Sequence, residues 1–190
     1  MKKMWLSALI LASVTSVAGT AQARGGGGGG SSGFLFDINL YYDTFKDETQ
    51  NTGGTATTNN NTTEAVGDIK LGYLSSSGLY FGGIYTSRSN SFLNQSGTNG
   101  SSEGASIGYM ASSGLFIMGH YLASSSYGTY SSGTGYQADI GYKAGMGNGV
   151  LLGAEITYRT ATYKKDSSNS SLDHYTVTET MPMISIGFLF

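Results

Sequence analysis

Residues 69–85 (IKLGYLSSSGLYFGGIY), 107–121 (IGYMASSGLFIMGHY) and 140–156 (IGYKAGMGNGVLLGAEI) share one pattern. Each has an alternating run, a cluster of small turn residues, and a second run of aliphatic or aromatic residues. Period-two alternation interrupted by such a cluster is the signature of a β-hairpin. Gly72-Tyr73, Gly108-Tyr109 and Gly141-Tyr142 take equivalent places, as do Phe81, Ile117 and Leu152, and then Ile84, His120 and Glu155. An isolated hairpin is marginal in water, so three of them predict one sheet joined edge to edge.

The start of the chain gives its address. Lys2 and Lys3 precede an apolar stretch at 5–18, and Ala21-Gln22-Ala23 is a small-x-small cleavage site. This pattern predicts a signal peptide over 1–23 and a mature chain from Arg24. Residues 24–33 are a Gly/Ser tract, expected to be a flexible periplasmic tail, and 34–190 a single barrel domain. No cysteine is present, which excludes disulfides and a lipoprotein anchor. Only 12% of residues are charged, about half the usual share, and the net charge of −2 argues against nucleic acid. No later run is apolar enough for a membrane helix.

In order, alternation predicts strands near 34–42, 67–74, 79–87, 105–111, 115–123, 136–144, 150–160 and 184–190. The stretches 44–64, 89–102, 124–135 and 161–173 are polar, lack an apolar period, and are expected to be loops. Short and long connections therefore alternate strictly, with both termini on the short-turn side. This predicts an all-β fold: an eight-stranded antiparallel up-and-down transmembrane β-barrel, closed because lipid cannot satisfy an open sheet edge.

Charges decide which face is inside. Asp68, Lys70 and Gly72 alternate with Ile69, Leu71 and Tyr73; Gln137, Asp139, Gly141 and Lys143 alternate with Tyr136, Ala138, Ile140 and Tyr142. A charge at the bilayer midplane costs ~2–4 kcal/mol on a barrel surface, so the charged sets face the lumen. Tyr42, Tyr73, Tyr109, Tyr142 and Tyr158 fit aromatic girdles. Carrying the register through the repeat turns Tyr80, Gly82, Ile84, Phe116, Met118, His120 and Leu151 inward. The expected lumen is apolar near the short turns, with a polar network above it of Asp37, Asp68, Lys70, His120, Asp139, Lys143, Glu155 and Arg159. Buried charges persist only when paired; which acid meets which base is left open. Pro182 is expected to mark a bulge, which leaves the side of Glu179 open.

The final stretch, MPMISIGFLF, ends in Phe190 preceded at alternate positions by Phe188, Ile186 and Ile184. It resembles the terminal strand of bacterial outer-membrane barrels. With the signal peptide and strand count, the mature chain is similar to the small barrels of the OmpX, OmpA and OmpW type. The resemblance implies that these four residues form the signal read by the barrel assembly machinery. It also implies residence in the outer membrane, in contact with lipid and lipopolysaccharide, with periplasmic chaperones during biogenesis and a monomeric state.

For function, the residues point to a structural or surface-interaction barrel with a plugged lumen and four long polar outer loops. The alternative is a narrow pore or an OmpW-like channel for small hydrophobic molecules. An enzyme is not expected: His174 follows Asp173 and lies near Ser170 and Ser171, but sequence adjacency does not make a triad. Two His and no Cys do not form a usual zinc site, and no cofactor is expected.

Overall fold

A computed structural model describes residues 32–50, 57–92, 95–168 and 174–190. The expected signal peptide and most of the Gly/Ser tract lie outside these residues. The strands are β1 (Gly33–Gln50), β2 (Thr57–Leu74), β3 (Leu79–Phe92), β4 (Gln95–Met110), β5 (Leu115–Tyr127), β6 (Tyr130–Gly147), β7 (Val150–Tyr163), β8 (Lys165–Asp166) and β9 (Tyr175–Leu189). Eight of them form a ring in which each pairs antiparallel with its sequence neighbours, and β1 closes on β9. The two-residue β8 adds only a short ladder to the outer end of β6. The fold is a closed, eight-stranded, up-and-down barrel.

The short turns repeat one device. Gly78 and Gly114 adopt φ of +88° and +92°, and Gly149 adopts +76°. Each carbonyl then accepts a hydrogen bond from a neighbouring strand: Met110 N donates to Gly78, Lys143 N to Gly114 and Leu189 N to Gly149. A Cβ at Gly78 would lie 2.3 Å from the Met110 carbonyl oxygen. The third turn differs in type, with Asn148 also at positive φ, the Asn-Gly pair of a type I′ hairpin.

The stretches expected to be long loops are mostly strand. β1 and β2 stay in register from Gly33↔Leu74 out to Gln50↔Thr57, and β3 and β4 remain paired as far as Phe92↔Gln95. Alternation did not reveal these extensions because it is imposed by burial of one face. Outside the apolar band neither face need be apolar, and Thr, Asn and Ser suit a wet ladder such as Thr160–Thr178 and Thr162–Thr176. The edge of β5 near Ala123 marks a real irregularity: Glu103 pairs with Ser124 but Gly104 with Leu122, so Ala123 is an extra residue.

Pro182 makes no bulge. The β7–β9 ladder runs unbroken past Ile156↔Pro182. Its effect falls on the other neighbour. Phe34 and Phe190 exchange both backbone hydrogen bonds, so even-numbered residues of β1 and β9 face each other across this seam. Pro182, opposite Tyr42, lacks the N–H that this position requires. The β1–β9 ladder accordingly ends at Leu40↔Ile184.

Leu71, Ile107, Ile117, Ile140, Ile156 and Ile184 project outward, the last 70% exposed, with tyrosines above and below them. The interior near the short turns holds Leu35, Leu74, Tyr80, Met110, Phe116, Met118 and Leu151. Gly72 and Gly82 pair directly beneath the Tyr80 side chain: a Cβ at Gly72 would lie 2.6 Å from its ring and one at Gly82 2.5 Å from its hydroxyl.

Candidate functional site: the luminal polar network

The eight charged or titratable residues Asp37, Asp68, Lys70, His120, Asp139, Lys143, Glu155 and Arg159 all point into the barrel and are all buried. They come from β1, β2, β5, β6 and β7, and meet because every second residue of each strand faces the same narrow lumen. Three arrangements result.

Nearest the apolar layer, Lys143 Nζ donates to both oxygens of Asp37, at 2.8 and 2.7 Å, and to Ser185 Oγ at 2.7 Å. The same ammonium lies 4.9 Å from the centre of the Phe116 ring, so it joins the ionic layer to the apolar one. In the middle, Lys70 Nζ donates to Asp139 Oδ2 and, at 2.8 Å, to Glu155 Oε1. Above it, Arg159 Nη2 reaches both oxygens of Asp68, at 2.8 and 3.0 Å, while its Nε donates to Gln137 Oε1. Gln137 Nε2 then donates to Asp68 and to Asp139, which links the two upper arrangements.

His120 bridges β4 and β6. Its Nε2 lies 2.8 Å from Asp139 Oδ2 and its Nδ1 lies 2.7 Å from Ser106 Oγ. The connectivity is that of a Ser–His–Asp relay, with the ring nitrogens reversed relative to a serine protease. Asp139 also holds Lys70 and Gln137, and Ser106 is 6% exposed. These contacts suit a buried brace. His174 is exposed at the start of β9; its neighbours Ser170, Ser171 and Asp173 lie outside the described residues.

Gln137, on the inward face by alternation, completes the network with Ser106, Thr86, Thr157 and Ser185, none of which the sequence named as a member of it. Their inward parity was available. Ser and Thr are so frequent on both faces of this barrel that residue type alone does not mark them. Asn39 Nδ2 and Oδ1, and Glu155 Oε2, are buried without a protein partner.

Beside the network on the β9 side is a second apolar group, Val66, Met181 and Met183 with Tyr41 against it; Met183 and Met181 lie opposite Glu155 and Thr157 in the β7–β9 ladder. At the mouth Glu179 is inward and paired with Arg88, whose Nε lies 3.5 Å from Glu64 Oε1. Arg88 also sits 5.2 Å from the centre of the Tyr127 ring. A cavity lined in part by Arg88, Tyr127, Arg159, Tyr163 and Glu179 has a volume of ≈ 10 Å³, about the space of one water. On the outer rim Tyr130 stacks on Tyr175 at 4.3 Å. Asp166 accepts from the Ser168 backbone N–H and hydroxyl, which holds its carboxyl below the usual range. Among the described residues no group of three or more His, Cys, Asp or Glu side chains is placed to hold a metal ion.

No family model matches the chain, and no curated protein matches it. Several solved structures resemble it. One is the outer membrane protein AlkL in DMPC lipid bilayers, at 14% identity and a TM-score of 0.42, covering 88% of this chain and 94% of that one. Another is the trimer form of OmpT, an outer membrane protein of Vibrio cholerae, at 11% identity and a TM-score of 0.33, covering 83% of this chain and 54% of OmpT. The outer-membrane expressed form of OmpT gives 14% identity, a TM-score of 0.32, and coverage of 85% and 57%. The chain thus spans little more than half of OmpT.

Proposed function

We propose that this chain is an integral outer-membrane barrel with a lumen plugged by its own side chains, acting as a structural or surface-interaction protein through the polar sheet that its strands extend beyond the bilayer. The observation that carries this reading is the ionic layer: the ion pairs of Lys70, Lys143 and Arg159 tie four strands, β1, β2, β6 and β7, together across the interior. The ≈ 10 Å³ mouth cavity supports it, since it lacks the volume for a solute. The belt of exposed Leu, Ile, Phe and Tyr supports membrane insertion, because so large an apolar surface is not stable in water. On this reading residues 1–23 direct export and are removed. Ile184, Ile186, Phe188 and Phe190 engage the assembly machinery, the barrel contacts lipid and lipopolysaccharide as a monomer, and no catalysis occurs.

The test is single-channel conductance of refolded mature protein in a planar bilayer, with a heat-modifiable gel shift to prove folding. Silence is expected. Steady conductance steps would sink the plugged lumen.

A second reading, passage of small hydrophobic molecules, is favoured by one feature. The apolar group of Val66, Met181 and Met183 lies behind the stretch of seam that has no β1–β9 ladder. On this reading the gap in the seam serves as a sideways exit toward lipid beside the ionic layer. A disulfide between cysteines at positions 42 and 182 would block entry of a small apolar dye into cells if this reading holds, and leave it unchanged if the seam is inert.

A further inference from the structure

Outward-facing residues step in twos from one tyrosine girdle to the other. On β3, β5, β6 and β7 a step of six positions leads from Leu79, Leu115, Tyr142 and Leu152, near the short turns, to Tyr85, Tyr121, Tyr136 and Tyr158. On β4 the same step leads from Tyr109 to Glu103. Glu103 therefore holds the place in the far girdle that tyrosine takes on four other strands. Among the described residues it is the only charged side chain on the outer face from girdle to girdle. It is exposed, and no described residue bonds its carboxylate.

The wall beside it is hollow. Ile69, Leu71, Gly83, Tyr85, Glu103 and Ala123 are among the residues that line an open groove of ≈ 520 Å³, a volume in the range of small-ligand sites. Gly83 leaves it room: a Cβ there would meet only the Gly104 carbonyl oxygen, at 3.4 Å. Ala123 is the extra residue of the β4–β5 bulge, opposite Glu103 and Gly104. An apolar groove that opens sideways within the hydrocarbon belt is filled from the bilayer and not from water. A carboxylate at head-group level then selects among lipids, because it repels phosphate and attracts ammonium. A second copy of the chain docked here about a two-fold axis would set one Glu103 against the other.

We propose that the groove beside Glu103 holds a membrane lipid whose head group ends in a primary ammonium. A hydrocarbon chain lies along Leu71 and Gly83, and the ammonium donates to the Glu103 carboxylate. The inference rests on the membrane placement in the proposed function, and needs neither the plug nor the surface role.

The only tryptophan, Trp5, lies in the expected signal peptide. Tyr121→Trp, opposite Ala105 in the β4–β5 ladder, therefore gives the mature chain a single reporter near the groove. This protein is refolded into phosphatidylcholine vesicles that contain either phosphatidylethanolamine or phosphatidylcholine brominated on its chains, since bromine quenches the indole on contact. Half-maximal quenching is expected at a lipid fraction ~2–5 times lower for the ethanolamine lipid, the range of an exposed ion pair. Adding Glu103→Gln should make the two lipids equivalent. Adding Gly83→Leu instead, which fills the groove and keeps the carboxylate, should reduce the preference. A heat-modifiable gel shift checks that each variant is folded. Equal quenching of the Glu103 protein by the two lipids, or a preference that survives Glu103→Gln, would overturn the proposal. So would stronger quenching by brominated phosphatidylglycerol that EDTA abolishes, the mark of a phosphate bridged by a divalent cation. Absence of quenching by either lipid in folded protein would remove the membrane placement itself, and the proposal with it.

Discussion

Tyr80 is fully buried over Gly72 and Gly82, and its side chain occupies space that any side chain at those two positions would claim. At Gly72 the Cβ would meet the Phe81 carbonyl oxygen at 2.3 Å as well as the ring. Gly72→Ala should therefore destabilise the folded barrel by ~1–3 kcal/mol through overpacking, measured by urea unfolding followed by tyrosine fluorescence. Lys70 answers to two carboxylates at once, so Lys70→Met leaves Asp139 and Glu155 buried without their cation. A loss of ~3–5 kcal/mol is expected. Asn39 predicts the opposite sign. Both of its polar atoms are buried without a protein partner, so Asn39→Leu should leave stability unchanged or raise it by ~1–2 kcal/mol. The two variants measured side by side separate a paired buried charge from an unpaired buried amide.

Among the elements, the seam between β1 and β9 is the shortest barrel ladder, and a single residue sets its length. Pro182→Val restores the missing donor opposite Tyr42. It should extend the ladder upward, slowing hydrogen exchange at the amides of positions 42 and 182 relative to wild-type Tyr42. Unchanged exchange at position 42 would show that strand divergence, not the absent N–H, ends the ladder. The short β8 answers to pH instead. Asp166 has a depressed carboxyl because it accepts from Ser168. Its contribution is complete above the ordinary carboxylate range near 4 and is lost as pH falls through the lower folded value. The protection factor of the Ser168 amide, its exchange corrected for the intrinsic pH dependence, should fall across that window and stay flat above it. Hairpins 69–85 and 107–121 were legible because one face of each strand is apolar and the other polar. The outer halves of β1 and β2 were not: once both faces are wet, a paired strand and a loop draw on the same Thr, Asn and Ser.

For the whole molecule, the outward row Ile117, Ile140 and Ile156 lies at paired positions across β5, β6 and β7. Ile140→Arg should cost ~2–4 kcal/mol in a bilayer, read as a lower urea midpoint for the lipid-embedded form. The inward parity of Lys70, Asp139, Glu155 and Arg159 needed only the alternation of each strand. Strand number, the antiparallel order and the charged interior followed from the same period, because lipid outside and a narrow lumen inside impose opposite chemistry on successive residues. Sequence by itself did not determine that Lys70 bridges Asp139 and Glu155 while Lys143 takes Asp37 and Arg159 takes Asp68. Nor did it place Glu179 against Arg88, or stop the β1–β9 seam at Leu40. These depend on the stagger of each strand against the next, which puts residues up to 106 positions apart at one height. Alternation has a period of two and carries no record of that stagger; only closure of the ring decides it.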